Sequence, residues 1–118
     1  MAADPADSSP LLVIGVLSFH SPAALRKRQS MRSVVSATTT SRAQLRFVVD
    51  SPDEDSVYND VLSFNVSSTT RPLGTYLLTN AFFRHVASSS EYAGTKFIGR
   101  SDDDSAFNLT FVASSLLA

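Results

Sequence analysis

The sequence predicts an α/β fold: a largely parallel sheet with flanking helices. Three observations carry that expectation. Leu11 to Phe19 is a nearly continuous apolar run of nine residues with β-branched members, the mark of a strand covered on both faces, as in parallel sheets. Strand-like and helix-like segments then alternate along the chain, which favours crossover connections over hairpins. The 118 residues are 43% apolar and 18% charged, a composition that can build a core and a length that suits one domain or part of one.

Met1 to Pro10 is rich in Ala, Asp, Ser and Pro without periodicity and is expected to be a disordered tail, leaving residues 11–118 as the folded unit. After the first strand, Ser21-Pro22 offers an N-cap and a proline at the first helical position, so a helix should run from Ala23 to Val35. Ser36 to Ser41 reads as a loop and Leu45 to Asp50 as a second strand closed by the turn signal Ser51-Pro52-Asp53. Glu54 to Asp60 is an acidic turn or short helix, and Val61 to Val66 a third strand. Past a loop at Ser67 to Thr70, Pro72 can open a helix reaching Ala87. Its Leu73, Tyr76, Leu77, Ala81, Phe82 and Phe83 make it apolar nearly all round, so it should be covered broadly. Ser88 to Ser90 is a break, Thr95 to Gly99 a fourth strand, and Asn108 to Leu117 a further helix or strand.

Ten basic and eleven acidic residues leave a net charge of −1, so no overall field points to nucleic acid or an anionic membrane, and any charge-based function must be local. The absence of cysteine removes disulfides, thiolate metal sites and cysteine nucleophiles. No apolar run approaches the ~20 residues of a membrane helix. Met1 to Pro10 carries Asp4 and Asp7 and no basic residue, unlike a signal peptide.

The fourth strand delivers Asp102-Asp103-Asp104 at its carboxyl end. Adjacent carboxylates repel, so they invite a divalent cation shared with the phosphates of a ligand. The other readings are a calcium loop and a solvated acidic turn. A calcium loop counted from Asp102 would need glycine where Phe107 stands and glutamate where Ala113 stands, and it fails. On the first helix Arg26, Lys27, Arg28 and Arg32 cluster, with Arg28 and Arg32 on one face; they form either a solvated face or an anion site beyond the strand ends. His85 lies near a helix end, which suits a surface or capping role. There is no Gly-x-Ser-x-Gly elbow for a serine nucleophile. A receiver-type acidic pair is also missing, since Ser18-Phe19-His20 follows the first strand. Asn65-Val66-Ser67 and Asn108-Leu109-Thr110 are glycosylation sequons.

Three blocks in order, Arg28-Gln29-Ser30-Met31-Arg32, Glu54 with Tyr58-Asn59-Asp60-Val61-Leu62, and Arg100-Ser101-Asp102-Asp103-Asp104-Ser105-Ala106-Phe107-Asn108, resemble the β-1,3-galactosyltransferase family, glycosyltransferase family 31, over roughly Leu12 to Asn108. The resemblance implies the amino-terminal half of a GT-A catalytic domain up to its DxD motif. The activity implied is that of a hexosyltransferase, β-1,3-galactosyl- or N-acetylglucosaminyltransferase-like, moving sugar from a UDP-sugar to a glycan or glycoprotein acceptor. It implies Mn2+ or Mg2+ held by Asp102 and Asp104, and the nucleotide sugar bound by Arg28, Arg32, Asp102 and Asp103. It implies a Golgi setting and a membrane-anchored parent protein, with the catalytic base and acceptor pocket on chain beyond the DxD strand. Val34 and Val35 stand where the family carries Thr-Trp, and Leu78 where it often carries lysine. The alternative is a non-catalytic or degenerate α/β fragment that binds a phospholigand or nothing.

Overall fold

A strand whose side chains are apolar on both faces needs cover on both faces. In the computed structural model Leu12–Leu17 forms such a strand, β1, with all six residues buried. The structure describes residues 9–19, 21–34, 42–50, 60–64, 73–103 and 108–117. Strand β2 (Ala43–Val49) pairs with one side of β1, β3 (Val61–Ser63) lies outside β2, and β4 (Phe97–Asp102) pairs with the other side of β1. Every pairing is parallel and the order is β3-β2-β1-β4. The helices are α1 (Pro22–Val34), α2 (Leu73–Ser88) and α3 (Leu109–Leu117). The fold is therefore α/β with a four-stranded all-parallel sheet flanked by helices, compatible with a Rossmann-like fold.

The alternation of side chains along each strand divides the core in two. Leu12, Ile14 and Val16 join Leu45, Phe47, Met31 of α1 and Ala113 of α3 on one face. Val13, Leu17 and Val48 join Leu78, Phe82 and Val86 of α2, with Tyr92, on the other. Crossovers that run in opposite directions across a sheet put their helices on opposite faces when both are right-handed, which accounts for α1, between β1 and β2, and α2, between β3 and β4, lying on different sides. At Gly15 the second layer comes closest: a Cβ built there would sit 2.5 Å from the Phe82 ring.

Several expected boundaries shift. Ser9 and Pro10 belong to the fold rather than to a tail: Pro10 is fully buried. The Ser9 hydroxyl donates to the Glu91 carbonyl at 3.1 Å and accepts the Gly94 N–H at 3.0 Å. Strand β2 begins two residues before Leu45 and ends at Val49; β4 begins at Phe97 rather than Thr95 and runs on through Asp102. The segment from Asn108 is a helix, with the Asn108 side chain accepting the Phe111 N–H at 3.0 Å. Ser89 ends the break after α2 by capping a single 3-10 turn, Ser90–Tyr92.

Helix α2 is not covered all round. Leu78, Phe82 and Val86, one turn apart, are buried, whereas Tyr76 and Phe83 are 71% and 39% exposed. The sheet offers one flat face, so only the stripe that meets β1 and β2 is buried. The expected tail at residues 1–8, the loop at 36–41, the turn at 51–53, most of the acidic segment at 54–60, the end of the third strand at 65–66, the loop at 67–70, Pro72, His20 and Asp104 lie outside the described residues, as do the side chain of Leu73 and the sequon at Asn65.

Candidate functional site

In an open α/β sheet the ligand crevice lies beyond the carboxyl ends of the strands, at the point where the chain reverses its direction across the sheet. That point here is between β1 and β4, because the chain leaves β1 for β2 and β3 and returns on the far side as β4. The register sets Leu17 beside Asp102, so the aspartates emerge level with the end of β1. A cleft of about 350 Å³ opens there, at the lower end of the ~300 to 1,000 Å³ of small-molecule pockets.

Each wall has a local cause. Leu17 and Phe19 come from β1 and the segment after it. Ser21 then caps α1, its hydroxyl accepting the Ala24 N–H at 3.0 Å, so the expected N-cap and N1 proline stand where the sequence puts them. The start of α1 contributes Ser21, Ala23, Ala24 and Lys27 to the cleft, and Asp102 and Asp103 close the opposite side. Thr75 of α2 completes the lining.

The charges in the cleft are held loosely. Lys27 Nζ lies 3.8 Å from Asp103 Oδ1, with the lysine side chain 52% exposed and the aspartate 17%. Arg100 faces Asp102 at 3.7 Å, both well exposed. Ion pairs of this kind contribute at most ~1 kcal/mol, so either carboxylate can be drawn to a ligand. Asp102 and Asp103 are hard oxygen donors, a set that fits Mg2+ or Mn2+ completed by phosphate oxygens and water. Among the described residues no group of three or more His, Cys, Asp or Glu side chains converges on a metal-sized site.

The two arginines part company. Arg28 is buried and donates to Ser18 Oγ at 2.7 Å and to the Phe19 carbonyl at 3.4 Å, so it braces the end of β1 behind the cleft. Arg32, one turn on, makes a two-pronged bond to Asp60, Nε to Oδ2 and Nη2 to Oδ1 at 2.8 Å each, and lies 4.9 Å over the Phe47 ring. Asp60 is itself fixed, its carbonyl accepting the Phe47 N–H at 2.7 Å. The structure thus brings Asp102 and Asp103 into the cleft and Arg28 close behind it, while Arg32 is turned toward β2 and the start of β3. His85 lies in the last turn of α2, near the helix end as expected, and its half-buried ring also packs edge-on to Phe64 and Tyr92 at 5.6 and 6.1 Å.

Lys27 belongs to the basic cluster that the sequence offers as a solvated face or an anion site, and it is the member that lines the cleft; the parts played by Thr75 and by Asp60 as the partner of Arg32 are not among the expectations. For Lys27 the signal was present: after an N-cap at Ser21, Ala23 and Lys27 are four apart and share the face that begins at the end of β1. Nothing local marks Thr75 or the pairing of Asp60 with Arg32. Among the described residues no helix is long and apolar enough to cross a membrane. No protein-family model and no curated protein matches the chain.

Proposed function

We propose that the chain is the nucleotide-sugar-binding part of a GT-A hexosyltransferase, β-1,3-galactosyl- or N-acetylglucosaminyltransferase-like, working on a glycan acceptor in the Golgi lumen. One observation carries the reading: Asp102 and Asp103 stand opposite the start of α1, in a cleft at the reversal point of a parallel sheet. That is where such a sheet binds a phosphate-bearing ligand, and the N–H groups at a helix start favour its negative charge.

In this reading Asp102 and Asp104 hold the divalent cation, and Asp103 lines the diphosphate site. A bound Mn2+ or Mg2+ would supply positive charge to the UDP leaving group. Arg28 keeps the end of β1 in place and so fixes the wall formed by Phe19; Arg32 holds β2 and Asp60 together and contributes through the scaffold. Transfer with inversion also needs a base to take the acceptor proton, and no residue of this chain is assigned to that role. The test is calorimetry with a UDP-sugar. Binding is expected only with Mn2+ or Mg2+ present and is expected to disappear in Asp102→Ala and Asp104→Ala. Binding that ignores the cation and both substitutions would sink the proposal.

A second reading, a degenerate module without catalysis, is favoured by Arg32 and Leu78. Arg32 is engaged by Asp60, and Leu78, at the position where the family often carries lysine, is fully buried against the sheet. A chain that folds cooperatively yet binds neither Mn2+ nor UDP-sugar would favour that reading.

A further inference from the structure

We infer that Lys27 is a diphosphate-holding residue that alternates between Asp103 and the ligand, resting on the aspartate when the cleft is empty of ligand and moving to phosphate oxygen when it is filled. The inference rests on the nucleotide-sugar reading above and assigns a role that reading does not use. Of the four basic residues clustered on α1, Lys27 alone lines the cleft; Arg28 is bonded to the end of β1 and Arg32 to Asp60. Its ammonium sits 3.8 Å from Asp103 Oδ1, too long for a strong charge-assisted hydrogen bond. The side chain is 52% exposed and carries a mobile point charge on a four-carbon stem, which can change partners without moving the helix.

Asp103 is the better shielded partner at 17% exposure. A divalent cation near the aspartates would repel the Lys27 ammonium, while a diphosphate in the same cleft would attract it. Lys27 therefore has opposite effects on the two ligands: it competes with a cation bound alone and supports a bound diphosphate. A side chain that only stabilised the fold would move both affinities in the same direction.

The experiment is titration calorimetry of the 118-residue chain with MnCl2 alone and with UDP in saturating Mn2+, for wild type, Lys27→Met and Lys27→Arg. Thermal unfolding of each variant checks that the exposed substitutions leave the fold intact. Lys27→Met is expected to bind Mn2+ about threefold to fivefold tighter, the scale of a lost half-exposed ion pair. It is expected to bind UDP about tenfold weaker, the scale of a lost charged hydrogen bond, and Lys27→Arg should restore most of the UDP affinity. An unchanged UDP affinity in Lys27→Met overturns the inference, and so does Mn2+ binding that is unchanged or weaker. If wild type binds no UDP in the presence of Mn2+, the nucleotide-sugar reading fails and this inference falls with it. If wild type binds and Lys27→Met matches it, only the inference fails.

Discussion

Arg28 and Arg32 leave the same side of α1 one turn apart and meet different chemistry. Sequence spacing shows that they share a face; it does not show that Asp60, brought in by the β2–β3 pairing, would meet one of them. The Arg32 and Asp60 side chains are only 10% and 16% exposed, so their bond is shielded from water. Removing one partner of such a pair leaves an uncompensated charge, and Asp60→Ala is expected to lower stability by about 3 kcal/mol in urea unfolding. Tyr92 is a second buried polar group. Burial pushes its phenol above the ordinary value of 10.0; Arg46 pulls it down and Glu91 pushes it up, without reversing the shift. As pH rises past 10.0 the unfolded chain loses the phenolic proton first, so stability present below that pH declines above it. The decline measured by denaturant midpoints should be smaller in Tyr92→Phe. At neutral pH that variant should lose little, because the Arg46 guanidinium beside the phenol acts on it without reaching good hydrogen-bond geometry with the hydroxyl.

Elements differ in how much of their setting their residues reveal. The all-apolar pattern of β1 announces a central strand, and Ser21-Pro22 announces the start of α1, because both signals are local. Helix α2 is apolar on more than one side, so its composition could not say which stripe faces the sheet; contact with β1 selects Leu78, Phe82 and Val86. The closest point of that contact is Gly15 against Phe82. A methyl group at Gly15 would meet ring carbons at 2.5 to 2.8 Å, and Phe82 is fully buried. Gly15→Ala is expected to cost about 1 to 3 kcal/mol by overpacking. The double variant Gly15→Ala/Phe82→Leu should lose less than the sum of its single variants, a coupling readable from denaturation midpoints.

At the scale of the whole molecule, the strand order β3-β2-β1-β4 turns separate segments into one cleft. Leu17, Phe19, Ser21 and Lys27 share it with Thr75, Asp102 and Asp103, although more than seventy positions separate the first group from the aspartates. A ligand that binds only this folded arrangement must stabilise it. UDP with Mn2+ at ~100 times its dissociation constant is expected to add about 2.7 kcal/mol. For a domain of this size that raises the thermal midpoint by several degrees, and chelating the metal with EDTA should abolish the rise.

The sequence by itself determined the α/β class, the covered central strand, the capped start of α1 and the acidic end of β4, because hydrophobic periodicity and capping are properties of neighbouring residues. Only the tertiary structure decided that Leu17 lies beside Asp102, that Lys27 faces Asp103, and that Arg32 belongs to Asp60. Those pairings follow from the order and register of strands distant in sequence, and no local pattern encodes which edge of β1 the last strand will take.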